Sequence, residues 1–76
     1  MSEIPEQHHW NLRDWESATT ADPYYWVGEQ PDSGATQLYL VQKAWSGGET
    51  IMAQKCYLHH AIEIVDALRR TTWRPR

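Results

Sequence analysis

Leu58, Ala61, Ile62, Val65 and Leu68 recur at i, i+3, i+4, i+7 and i+10, the spacing of one apolar stripe along an α-helix. The pattern predicts a helix from Tyr57 to Arg70, with its body over 58–70. His59, His60, Glu63, Asp66, Arg69 and Arg70 lie mostly off the stripe. The two arginines fall in the last turn, where cations meet the negative end of the helix dipole, and Pro75 forbids continuation. Residues 71–76 read as a basic tail.

Three runs upstream have strand character. Tyr24–Glu29 (YYWVGE) is aromatic and β-branched, with Pro23 at its start, where a missing N–H costs least. Gln37–Trp45 (QLYLVQKAW) is the strongest run, and Thr50–Tyr57 (TIMAQKCY) the weakest. Pro31-Asp32-Ser33-Gly34 has turn chemistry, and Gly47-Gly48 inside Ser46–Glu49 signals a tight hairpin. Connections this short join antiparallel neighbours. The expected fold is therefore α+β: a three-stranded antiparallel β-meander over 23–57, packed on the C-terminal helix. Residues 1–22 form an N-terminal segment and linker. There Pro5 can open a helix to about Ala18 with His8, Leu12 and Trp15 on one face, although Trp10 and Leu12 also alternate as in a short strand. Ala18–Asp22 (ATTAD) reads as the linker.

A hairpin closed over Gly47-Gly48 would pair Trp45 with Thr50 and Lys43 with Met52. One sheet face then holds Leu38, Leu40, Gln42, Ala44, Ile51, Ala53, Lys55 and Tyr57. Ala44 and Ala53 would let the helix approach this face. The other holds Tyr39, Val41, Lys43, Trp45, Thr50, Met52, Gln54 and Cys56, and Tyr39, Val41, Trp45 and Met52 are left without a cover unless Trp10, Leu12 and Trp15 fold over them. A slip of one residue would exchange the two sets.

Composition makes that question sharper. Leu, Ile and Val supply only 12 of the 76 residues and Phe none, while five Trp and four Tyr carry the large apolar surface. The net charge of −3 separates the chain from the highly charged sequences that stay disordered. Nine aromatics exceed what one small core takes in, since Trp and Tyr are seldom wholly buried. One small folded domain over 1–76 with aromatic surface to spare is the expectation.

Charge is split along the chain. Residues 1–34 carry a net −6, with Asp14, Glu16, Glu29 and Asp32 among the acids, and residues 35–76 carry +3. The single cysteine, Cys56, permits no internal disulfide, which suits a reducing, cytoplasmic setting. MSEIPEQHHW has neither the cationic start nor the apolar run of a signal peptide, and no apolar run is long enough to span a membrane.

Candidate chemistry is sparse. Cys56, His59 and His60 form C-x-x-H-H, which is half a zinc site without a second half. Cys56 and His60 could be imagined as a nucleophile pair, but with neither an orienting group nor an oxyanion hole. No phosphate-binding loop, nucleophile elbow or metalloprotease motif is present. No catalytic activity, cofactor or metal is expected. Lys43, Arg69, Arg70, Trp73 and Arg74 suit phosphates and base stacking. A meander followed by a helix, over about residues 24–70, resembles in architecture the plant AP2-type and integrase arm-type DNA-binding domains. That resemblance implies groove reading by the sheet, yet the sheet carries only Lys43 and Lys55 and the pI is about 5.7. A nucleic-acid-binding module is the alternative reading.

The leading expectation is a non-enzymatic protein-binding module. Tyr39, Val41, Trp45 and Met52 would form an aromatic contact face. Asp14, Glu16, Glu29 and Asp32 would steer a basic partner, which could also be a nucleic-acid-binding protein whose site is blocked. In size and charge the chain resembles the small acidic inhibitors carried by phages, anti-CRISPR proteins included. That resemblance implies an inhibitor or regulator. A homodimer through the same face is the further partner considered.

Overall fold

In a computed structural model, residues 3–72 are described. Trp73 and Arg74 lie outside them. A 3₁₀ turn at Glu6–His8 precedes helix α1 (Leu12–Ser17), and strands β1 (Tyr24–Glu29), β2 (Tyr39–Trp45) and β3 (Gly48–Cys56) lead into helix α2 (Leu58–Thr72). The strands form one antiparallel sheet in the order β1-β2-β3, as the meander pattern predicts. Among the described residues no helix is long and apolar enough to cross a membrane.

The hairpin turn is Ser46-Gly47. Gly48 already belongs to β3 and pairs with Trp45, and Lys43 pairs with Thr50. The register therefore differs by two residues from the one expected for a Gly47-Gly48 turn. Gly47 supplies the left-handed φ of +95° that reverses the chain. An alanine there is strained by about 1 kcal/mol, so Gly47→Ala should lower Tm by about 5 °C in a domain of this size, as a thermal melt would show.

Helix α2 covers the sheet face opposite to the one expected. Tyr25, Val27, Tyr39 and Val41 are buried with Ala61 and Val65, and Leu58, Ile64 and Leu68 pack against them. The reason lies in cross-strand rows. Val27 pairs with Val41, and Val41 with Ala53, giving a smooth row on which Ala61 and Val65 close completely. Ala53 reaches that row because the register shifts between Val41 and Gln42, which leaves Met52 as the extra residue of a bulge. Tyr39 and Val41 are thus core, and the open aromatic face expected from them does not exist. Ile64 takes part in the helix stripe where Ile62 was expected to.

The N-terminal segment is not one helix. His9 and Asn11 are extended and separate the 3₁₀ turn from α1. The segment wraps the β1 edge and touches both sheet faces. Ile4 enters the core beneath α2. His8 is buried and its Nε2 meets Asp66 Oδ1 at 2.8 Å. Tyr24 Oη donates to the His9 carbonyl at 2.8 Å. Ala18 then lands on the outer face, against Trp26 and Ala44, where Trp26 also stacks on Tyr24 at 5.1 Å. The small Ala44 thus receives Ala18 rather than the C-terminal helix.

Candidate functional site

Helix α1 has six residues, and none of them is buried. Trp10, Leu12 and Trp15 stand 48%, 52% and 38% exposed, although a six-residue helix has no stability of its own. It is held at its ends. Asn11 Oδ1 accepts from the Asp14 N–H at 3.1 Å, capping the first turn. Trp15 Nε1 donates to Glu49 Oε2 at 2.7 Å, tying the helix to β3. The buried Ala18 anchors the exit. The Trp10 and Trp15 rings lie 6.2 Å apart.

Leu12 and Trp15 are one helical turn apart and so share a side of α1. Asp14 and Glu16 flank them, and Arg13 is the single base of the helix. Ile51 follows Glu49 by two residues on the outer side of β3 and is exposed, as is Met52 at the bulge. The surface is thus an apolar ridge, α1, beside an apolar strand edge, with Glu16 and Glu49 between them.

Of the residues expected to form a contact face, Tyr39 and Val41 are buried. Trp45 is half-buried and committed to the hairpin. Its ring lies so close over Gly48 that a Cβ there would come within 3.0 Å, and Lys43 Nζ stands 5.7 Å above it. Only Met52 stays exposed. The acidic set divides: Asp14 and Glu16 are on α1, while Glu29 ends β1 and Asp32 lies in the turn beyond it. The intervening strand puts about 16 Å between the two groups.

Among the described residues expected to contact nucleic acid, Lys43 lies over the Trp45 ring and Arg69 is engaged within the fold. Arg69 donates from Nη1 to the Gln7 carbonyl at 2.9 Å and from Nη2 to the Tyr25 carbonyl at 2.7 Å, so it is a clamp within the fold. Arg70 is exposed. The Cys56 thiol donates to the Gln54 carbonyl at 3.5 Å, and the His59 ring lies parallel to Tyr57 with His60 tilted against both. Among the described residues no group of three His, Cys, Asp or Glu side chains is placed to hold a metal ion.

Two phenols titrate above their ordinary value. Burial raises Tyr24 most, with Asp14 adding and the Asn11 backbone and Arg69 opposing. Burial likewise raises Tyr39, with Glu3 and Glu29 adding.

Trp10, Leu12, Trp15, Glu49 and Ile51 were not singled out as contact residues from the sequence. The signal for the first three was there: Trp10 to Trp15 is too short a segment to bury three large side chains while His9 and Ala18 tie its ends down. Compared with known protein families, curated proteins and solved structures, the chain matches none.

Proposed function

We propose that the protein is a non-enzymatic binding module that inhibits or regulates another protein, inserting the α1 ridge into an apolar groove with a basic rim. The observation that supports this is a capped, tethered helix that contributes nothing to the core yet displays Leu12 and Trp15. Trp is among the residues that dominate interface energetics, and anchors one helical turn apart are the pattern of helix-in-groove recognition. Asp14, Glu16 and Glu49 supply the charge that favours a basic rim.

The test is affinity capture from the native host with the intact chain and with Leu12→Ser/Trp15→Phe, followed by calorimetric titration of the protein retained. The variant should weaken binding by about thirtyfold or more while keeping a folded far-UV CD spectrum, its Tm falling by only the few degrees that loss of the exposed Trp15–Glu49 bond costs. Equal binding by both chains would refute the reading.

A further inference from the structure

On the flank of α1 away from the hairpin, a cleft of about 490 Å³ opens between the N-terminal segment, the start of β1 and the C-terminal end of α2. This volume lies in the range of small-ligand sites. Asp14, Asp22, Pro23, Tyr24, Arg69 and Arg70 are among its walls. Two of these are rigid. Arg69 is held by the Gln7 and Tyr25 carbonyls, and Tyr24 is fixed through its hydroxyl to the His9 carbonyl and through its ring to Trp26.

The remaining ionised walls are unspent. The carboxylates of Asp14 and Asp22 and the guanidinium of Arg70 have no hydrogen-bond or ion-pair partner among the described residues, where His8–Asp66 is the ion pair formed. Charges of both signs thus face one cleft without meeting one another, and Pro23 and the Tyr24 ring lie along it. A ligand with a single charge would satisfy one side and be repelled by the other.

We propose that this cleft binds a small zwitterion whose ammonium meets Asp14 and Asp22, whose carboxylate meets Arg70, and whose methylenes lie along Pro23 and Tyr24. This is the chemistry of an ω-amino acid or of a carboxy-terminal lysine. The cleft shares Asp14 with the flank of the Leu12–Trp15 surface, but ligand binding in it does not depend on the role proposed for that surface.

The experiment is a ¹H–¹⁵N NMR titration of the intact chain with 6-aminohexanoate. Hexylamine and hexanoate serve as single-charge controls, and Nα-acetyl-lysine against its methyl ester represents the peptide terminus. Saturable shifts are expected at Ser17, Ala18, Asp22 and Tyr24, with a Kd on the order of 1 mM. Arg70→Gln should raise that Kd by about fivefold and leave hexylamine unchanged. Asp22→Asn should weaken the zwitterion and hexylamine alike and leave hexanoate unchanged. Tighter binding of 6-aminohexanoate than of Nα-acetyl-lysine assigns the free amino acid, and the reverse order assigns the peptide end. The proposal fails if no saturable shift appears, if either single-charge control binds as well as the zwitterion, or if neither variant changes the Kd while retaining a dispersed spectrum.

Discussion

Tyr39→Ala should lower Tm by about 15–25 °C, whereas Tyr39→Phe should melt close to the unaltered protein. Tyr39 is 5% exposed, sits opposite both Glu29 and Cys56 in the sheet, and packs in the cluster with Val41 and Ile4. Removing a buried aromatic ring costs about 3–5 kcal/mol. A domain this small holds about 4–11 kcal/mol in all. Far-UV CD melts decide the matter, and an unchanged melt for Tyr39→Ala would put this ring outside the core. The Tyr39 phenol adds a dependence on pH. Its folded-state pKa is raised, chiefly by burial, so the folded chain keeps a proton that the unfolded chain releases near pH 10. The corresponding stability is complete below about pH 10 and is lost as pH climbs through the folded value. Tyr39→Phe should abolish this alkaline decline, apart from the share that Tyr24 contributes in the same direction.

Arg69→Met should cost about 2–3 kcal/mol and lower Tm by about 10–15 °C. The methylene stem is kept, while two charge-assisted bonds are lost, including the one to the partly buried Tyr25 carbonyl. Arg69→Lys should recover less than half of the loss, because an ammonium lacks the planar fork that reaches two carbonyls. Amide hydrogen exchange should accelerate first at residues 7–9. Retained protection there would mean that the His8–Asp66 pair, the Tyr24 bond to the His9 carbonyl and the buried Ile4 hold the segment without Arg69. By contrast, Arg70→Met should leave the melt unchanged, since Arg70 makes no such bond.

The elements themselves were plain in the sequence. β1 occupies the YYWVGE run, and α2 follows the stripe of Leu58, Ala61, Val65 and Leu68. What local pattern could not convey was which face of the sheet these elements meet. Leu40, Gln42 and Ala44 alternate with Tyr39, Val41 and Lys43, and neither set is uniformly apolar, so the period of two leaves both faces open to the helix. The bulge at Met52 decides it by moving Ala53 beneath Ala61 and Val65, and nothing in TIMAQKC announces an extra residue. The N-terminal segment was obscure for a related reason. Its position depends on Asp66, Arg69 and Tyr24, partners up to 62 residues away. As for the candidate site, its acids were visible at Asp14 and Glu16, whereas its apolar ridge was assigned to covering a face that α2 already occupies.

The wrap around β1 also imposes an order on folding during synthesis. Residues 7 and 8 are made well before the groups that hold them, Asp66 and Arg69 of α2. A chain emerging from the ribosome therefore has β1, β2 and β3 in hand while the outer edge of β1 still lacks its strap. An open strand edge is the surface through which partly folded chains associate. A truncation that stops translation before Asp66 should thus yield a chain that forms aggregates, rather than a shortened but soluble domain, even though every strand of the sheet is present.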